Sequence, residues 1–215
     1  MNRIVPILLI AMMATVGCSK KALIAQKDAE IAGLQSNVTE LKGQVSELQS
    51  SLDQQQKMNE QLNGDLADLR EEQRILIDER DGLTHITLDG AATFGTAQAD
   101  LTDGAKEVLD RVWSVLADYP DRRILIEGHT DSRPIAMTYR DRFASNWELS
   151  SARAHSVLHY LQYKHSADPN RLAAVGYGAS ERVADDSTPE GRAQNRRVVI
   201  TVGSEMDVEA RISRR

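Results

Sequence analysis

The sequence predicts an α/β sandwich with one mixed sheet, preceded by a long α-helical coiled coil. Apolar residues recur at alternating spacings of three and four from Ile31 to Leu76, without an intervening proline, and this heptad pattern is typical of a coiled coil. Strand-like and helix-like segments then alternate to the end of the chain, which favours helices packed on a single sheet. Both tryptophans lie after residue 112, so we expect the compact core in the carboxy-terminal half.

The heptad places apolar residues at most a and d positions, with Asn59 as a polar a residue that would fix the register of paired helices. We predict a spacer over residues 18–82 that ends at Gly82 and assembles as a parallel dimer or trimer. A single amphipathic helix packed on the following domain is the alternative. The a positions are Ile31, Val38, Val45, Leu52, Asn59, Leu66 and Gln73, and the d positions are Leu34, Leu41, Leu48, Gln55, Leu62, Leu69 and Leu76.

The amino terminus has the pattern of an export signal. Arg3 precedes an apolar run that ends at Gly17 and is shorter than the about 20 residues of a membrane span. The Val-Gly-Cys sequence ending at Cys18 resembles a bacterial lipobox, although Thr15 stands where that motif most often has leucine. The resemblance implies that residues 1–17 are removed, that Cys18 is lipidated, and that Ser19 directs the protein to the outer membrane. An ordinary signal peptide cleaved near Ala14 is the alternative.

The carboxy-terminal half contains four predicted strands and two long helices, and residues 204–215 are expected to form a tail. Thr102, Asp103 and Gly104 provide a helix amino-terminal cap, and Thr188 with Pro189 predicts the start of a further short helix. The predicted strands are His85–Asp89, Ile124–Glu127, Ala173–Tyr177 and Val198–Val202, and the predicted helices are Leu101–Leu116 and Trp147–Tyr163.

Two oppositely charged residues indicate a binding site. Asp131 follows the strand ending at Glu127, and Arg153 lies in the second turn of the helix that starts near Trp147. A carboxylate and a guanidinium that face one crevice suit a ligand with both an ammonium and a carboxylate group. The two side chains could instead pair with each other.

Three motifs in this half resemble the OmpA-like peptidoglycan-binding domain family: GHTDS from Gly128, NWELSSARA from Asn146, and NRRVVI from Asn195. The resemblance covers residues 83–203. It implies that Asp131 and Arg153 hold the diaminopimelate of the cell-wall peptide. It also implies that Arg196 borders the crevice, whereas Gly95 replaces a polar residue that the family often has. The flanking motif positions are Thr130, Asn146, Leu149 and Ser150.

Together these features predict an outer-membrane lipoprotein that faces the periplasm, binds peptidoglycan noncovalently and tethers the envelope layers. A flagellar-stator-like wall anchor and a coiled-coil scaffold for an envelope complex are the alternatives; the first normally needs a membrane-spanning acid, and residues 1–17 contain no Asp or Glu.

The net charge of −6 disfavours a nucleic-acid partner. An enzyme is not expected because no nucleophile elbow or metal-binding motif is present. No cofactor or metal is expected either: His155 and His159 are one helical turn apart, but no third ligand accompanies them.

Overall fold

The computed structural model describes residues 5–72, 74–95 and 97–213, without the side chains of residues 5–19 and 22. The cleavage after residue 17 and the lipidation of Cys18 stay predictions, and the heptad position at Gln73 lies outside the described residues. The chain divides into one compact unit that ends at Asp53 and a second unit, Gln54–Arg215. Across the described part of the chain, no helix combines the length and apolar character needed to cross a membrane.

The first unit is formed by helix α1, Val5–Asp65, which continues into the second unit. This confirms the predicted long helix. Its a and d residues from Ile31 to Leu52 are between 48% and 60% exposed. The helix therefore presents an uncovered apolar seam over these heptads, and its assembly into a coiled coil stays a prediction.

The second unit contains the predicted mixed sheet, whose strand order is β1-β2-β5-β3-β4. Strands β3 and β4 are parallel, and the other neighbouring pairs are antiparallel. The strands are β1 Ile75–Arg80, β2 Leu83–Asp89, β3 Arg123–Gly128, β4 Leu172–Gly176 and β5 Arg197–Gly203. The helices are α2 Ala67–Glu71, α3 Gly90–Thr93, α4 Asp103–Leu116, α5 Asn146–His165, α6 Pro189–Asn195 and α7 Glu205–Ser213, with 3-10 turns at Met137–Tyr139 and Pro169–Arg171.

The main core lies between the sheet and a helical layer made of α4, α5 and the end of α1. Four side chains from the α1 and α2 region, Met58, Leu62, Leu66 and Leu69, are at most 1% exposed in this core. On the other face of the sheet, Val208 of α7 packs against Leu83 and Leu125. The end of α1 is thus part of the carboxy-terminal unit.

The predicted end of the spacer helix at Gly82 is wrong. The helix ends at Asp65, and residues 75–80 form the edge strand β1. Gly82 instead lies in the turn between β1 and β2 at φ +73°, a backbone conformation that favours glycine. Asn59 does not face a partner helix either, because its side chain accepts a hydrogen bond from Thr84 of β2. The alternative of a helix packed on the domain therefore holds from residue 55 onward.

The predicted tail also contains regular structure, since α7 covers Glu205–Ser213. The remaining predicted elements occur with shifts of a few residues at their ends. Ser145 is the amino-terminal cap of α5, and its hydroxyl accepts a hydrogen bond from the amide of Trp147. This cap fixes where α5, the helix that carries Arg153, begins.

Candidate functional site

Asp131 lies three residues beyond the carboxy-terminal end of the interior strand β3. After Gly128, the amide of Thr130 donates a 2.7 Å hydrogen bond to the carbonyl of Gly178, which holds the chain beside the loop that follows β4. The Asp131 side chain is 12% exposed. Its Oδ1 accepts a hydrogen bond from the amide of Arg133 at 3.1 Å, and its Oδ2 lies 2.7 Å from Nη1 of Arg196. The carboxylate is therefore oriented before any ligand arrives.

Arg153 of α5 is 6% exposed. Two contacts fix the position of its guanidinium group. Its Nε donates a 2.9 Å hydrogen bond to the carbonyl of Gln98, and its guanidinium carbon lies 5.0 Å from the ring centroid of Phe94. Burial, followed by repulsion from Arg196, lowers the pKa of Arg153 to about 10, while Asp131 acts in the opposite direction. The side chain stays cationic at neutral pH.

Within the described part of the chain, no carboxylate lies within 4.0 Å of Arg153. Asp131 and Arg153 therefore do not form the mutual ion pair that the sequence left open. A buried cation without a paired carboxylate has lost part of its hydration, and a ligand carboxylate can compensate for that loss. The arrangement leaves Arg153 able to pair with an anionic group.

The first turns of α5 support these two residues. Nδ2 of Asn146 donates to the carbonyls of Asp131 at 3.1 Å and Arg133 at 2.9 Å. Leu149 and Ser150 are buried, and Oγ of Ser150 accepts a 2.9 Å hydrogen bond from the amide of Gly178. Asn146 thus fixes the loop that carries Asp131, whereas Leu149 and Ser150 serve packing beneath the site.

The close approach of α5 to the sheet requires a glycine at position 128. A β-carbon on Gly128 would lie 2.1 Å from the carbonyl oxygen of Ser150, which is far inside van der Waals contact. Nearby Thr130 is 4% exposed, and its hydroxyl has no hydrogen-bond partner among the described residues. The unpaired hydroxyl lies next to Asp131 in the chain and is a candidate hydrogen-bonding group.

Two supporting residues, Asp186 and Asn195, were missed by the sequence reasoning. Asp186 accepts hydrogen bonds from the amide of Ser132 and from Nδ2 of Asn195, both at 2.9 Å. The bond from Ser132, then that from Asn195, lowers the pKa of Asp186 to about 2. Asn195 is fully buried and begins the NRRVVI motif, so that motif could have indicated it, whereas no pattern marked Asp186.

A second cluster of titratable residues lies under the sheet's other face. Potential ligand atoms of Glu127, His129 and Glu181 lie within 4.8 Å of one another. However, Nη2 of Arg211 lies 2.8 Å from Glu127 and 3.8 Å from Glu181. Because this guanidinium already supplies positive charge to both carboxylates, the arrangement favours an ion-pair network over a metal centre.

A groove of about 910 Å³ opens on the same face of the sheet as this cluster, between β1 and α7. Its lining includes Arg80, Arg182, Arg196, Arg197 and Arg211. Arg196 therefore borders both the groove and the crevice that contains Asp131.

Comparison with known proteins identifies the family of the carboxy-terminal domain. Residues 93–196 match the OmpA family. The chain is 38% identical over 152 residues to the protein YtxE of Bacillus subtilis, an alignment that covers 70% of this chain and 60% of YtxE. It is 38% identical over 113 residues to the peptidoglycan-binding protein ArfA of Mycobacterium tuberculosis, covering 53% of this chain and 32% of ArfA.

Solved structures agree with these matches. The cell wall anchor of the T6SS from Pseudomonas aeruginosa is 37% identical with a TM-score of 0.61, covering 67% of this chain and 97% of that one. A MotB-like protein of Desulfovibrio vulgaris is 25% identical with a TM-score of 0.67, covering 73% of this chain and 95% of that one.

The chain therefore contains an OmpA-like domain, as the three motifs predicted. It spans about three fifths of YtxE and one third of ArfA.

Proposed function

We propose that the OmpA-like domain binds peptidoglycan noncovalently through the diaminopimelate of its peptide stem. The observation that carries the proposal is Arg153, a buried guanidinium that has no carboxylate within 4.0 Å in the described part of the chain. One relative is named as a peptidoglycan-binding protein, and one similar structure is described as a cell wall anchor. Both names agree with a receptor for a wall component.

The proposed recognition uses the two opposite charges of the site. Arg153 binds the side-chain carboxylate of diaminopimelate, and Asp131 binds the ammonium on the same carbon. Charge-assisted hydrogen bonds of this kind are about twice as strong as neutral ones. Thr130 and Arg196 border the ligand, while Asn146, Leu149 and Ser150 keep the loop and the helix in place.

Each individual site is expected to be weak, because desolvation of the ligand charges offsets much of the gain from pairing them. Oligomerisation through the exposed seam of α1 would place several sites on one wall and increase the effective concentration of the second site. We propose that the apolar heptads from Ile31 to Leu52 form this contact, as a parallel dimer or trimer. With Cys18 lipidated, the helix then spaces the wall-binding domain from the outer membrane, on its periplasmic side.

A stator-like wall anchor is the second candidate. The similarity to a MotB-like protein, with a TM-score of 0.67, favours it. In a third candidate, a scaffold for an envelope complex, the same domain would anchor the scaffold to the wall. A pull-down from crosslinked cells would distinguish a scaffold from a simple tether, because only a scaffold should recover defined partner proteins.

Co-sedimentation of the full chain with isolated peptidoglycan tests the proposed site. The full chain is needed because a fragment starting at Leu83 would lack β1 and the buried end of α1. We expect the wild type to pellet with a diaminopimelate-containing wall, and Arg153→Ala to lose most of this binding.

Arg123→Ala is the matched control, because Arg123 lies at the opposite end of β3 from the site. A wall that carries lysine in place of diaminopimelate should bind poorly, since lysine lacks the carboxylate for Arg153. Equal pelleting of wild type and a folded Arg153→Ala variant would contradict the assignment.

A further inference from the structure

We infer that Trp147 forms a sugar-binding subsite beside the peptide site, on which a pyranose ring of the wall glycan stacks. The inference rests on the proposed function, since it assumes that the neighbouring crevice receives the peptide stem. It adds a second chemical class of ligand, a carbohydrate, to the same end of the domain.

The first observation is the exposure of Trp147 at the start of α5, two residues before a buried pair. Trp147 is 55% exposed, whereas Leu149 and Ser150 of the same turn are at most 6% exposed. Single exposed apolar residues are common on protein surfaces, so exposure alone would carry no meaning. The surroundings of this ring distinguish it.

The second observation is that the ring rests on a rigid backbone. A β-carbon at Gly178 would lie 3.4 Å from Cδ2 and 3.6 Å from Cε2 of Trp147, so the glycine backbone lies under the fused edge of the indole. Gly178 has a φ of +53° and is held by its hydrogen bonds to Thr130 and Ser150. The backbone of Trp147 is held as well, through the hydroxyls of Ser145 and Ser150. The indole is thus supported from below.

The third observation is the short path from this ring to the peptide site. Gly178, which supports the indole, accepts the hydrogen bond of the Thr130 amide next to Asp131. Asn146 precedes Trp147, and its side chain holds the Asp131 carbonyl at 3.1 Å. Adjacent Cα atoms are about 3.8 Å apart. Trp147 therefore adjoins two residues, Asn146 and Gly178, that hydrogen-bond to the segment carrying Asp131.

The ligand's own chemistry fits this geometry. In peptidoglycan the stem peptide is joined to the glycan through its first residue, and diaminopimelate is the third. Three extended residues span roughly 10 Å, so a sugar ring remains near the crevice when diaminopimelate is bound. The faces of aromatic rings carry partial negative charge, and the C–H groups on one face of a pyranose carry partial positive charge. The exposed indole can therefore cover that sugar face.

Two soluble probes test the subsite with the full chain: a free diaminopimelate-containing tripeptide, and the same tripeptide on its disaccharide. Calorimetric titration of the wild type should give about five-fold tighter binding of the glycosylated probe, a difference of about 1 kcal/mol. In Trp147→Ala this advantage should disappear, while the affinity for the free tripeptide stays unchanged. Trp147→Phe should retain part of the advantage because its ring can still stack.

Tyr163→Ala is the matched control. Tyr163 lies on the same helix and is 74% exposed, so its removal should change neither affinity. The subsite is refuted if wild type binds both probes equally, if Trp147→Ala keeps the wild-type preference for the glycosylated probe, or if it weakens both probes to the same extent. This last result would show that Trp147 supports the peptide site instead.

The design separates failure of the inference from failure of the proposed function. If Arg153→Ala abolishes binding of the tripeptide and the glycosylated probe has no advantage, only the sugar subsite is wrong. If wild type binds neither probe, or Arg153→Ala binds both normally, the proposed diaminopimelate site is wrong and the inference is overturned with it.

Discussion

Arg196, rather than Arg153, forms the ion pair with Asp131. Its Nη1 lies 2.7 Å from Oδ2 of the carboxylate, while the Arg153 guanidinium contacts the Phe94 ring and the Gln98 carbonyl. The two arginines repel each other enough to contribute to the lowered pKa of Arg153. The three side chains have a formal charge of +1, so the crevice favours a ligand group that brings negative charge.

Replacing Arg196 with alanine should weaken binding of a diaminopimelate tripeptide about five- to ten-fold, less than replacing Arg153 does. The Asp131 side chain, which is 12% exposed in the wild type, loses its ion pair, and the crevice rim loses a cation. Arg196→Lys should recover part of the affinity. Calorimetric titration measures both effects. Tighter binding in Arg196→Ala would instead show that Arg196 competes with the ligand ammonium for Asp131.

Sequence patterns predicted most of the fold, whereas the assignment of Asp131 and Arg153 as the central site residues stays a prediction. Strands β2, β3, β4 and β5 and helices α4 and α5 follow the apolar periodicity and the capping residues closely. The pairing of Asp131 could not be predicted, because both Arg153 and Arg196 were available and periodicity does not specify which cation lies closer. Asp186 was missed because it acts through the backbone amide of Ser132, a contact that depends on tertiary structure.

The largest error concerned where the long helix ends. The a and d spacing of Leu62, Leu66 and Leu69 satisfies a coiled-coil seam, and it also satisfies one helical face packed on a sheet. In the structure these residues join the domain core. Residues 75–80 form a strand whose first residues alternate in burial. In the sequence this alternation is short, and Leu76 also fits the d position of the preceding heptads, so the strand was read as part of the helix.

Replacing Leu62 with alanine should destabilise the carboxy-terminal unit by about 2–5 kcal/mol, because the side chain is fully buried and its loss leaves a cavity. Leu41→Ala is the matched control, since Leu41 occupies an equivalent heptad position but is 57% exposed. Urea unfolding followed by near-ultraviolet circular dichroism measures the free energy of unfolding. Equal midpoints for both variants would contradict the packing of α1 in the core.

Replacing Asp186 with asparagine should remove a pH-dependent part of the domain's stability. The folded pKa of about 2 lies below the ordinary value of 3.8. The ionised carboxylate therefore stabilises the fold above about pH 4, and this contribution decreases as the pH falls toward 2. Because water screens this partly exposed group, we expect about 1 kcal/mol or less.

Thermal unfolding of wild type and Asp186→Asn between pH 2 and pH 7 measures this difference. The two proteins should differ most near neutral pH and converge at the acidic end. A difference that stays constant across this range would show that ionisation of Asp186 does not contribute.

Charged substitutions in the exposed seam should abolish oligomerisation. Leu41 and Leu48 are 57% and 60% exposed in the single chain. Replacing both with aspartate would place negative charges in the apolar contact between paired helices. Light scattering after size-exclusion chromatography should show an oligomer for wild type and a monomer for the double variant. Asn59→Leu should leave the oligomer number unchanged, because Asn59 lies in the domain core. A wild type that is monomeric at micromolar concentration would remove the avidity argument.

Replacing Cys18 with alanine should release the protein from membranes, if the lipobox-like sequence is processed as proposed. Acyl chains contribute about 0.8 kcal/mol for each buried methylene group, so their loss should move the protein to the soluble fraction. The wall must first be digested with lysozyme, because binding to large wall fragments would also cause sedimentation. Arg153→Ala is the matched control and should remain with the membranes. Continued sedimentation of Cys18→Ala after digestion would refute the lipid anchor.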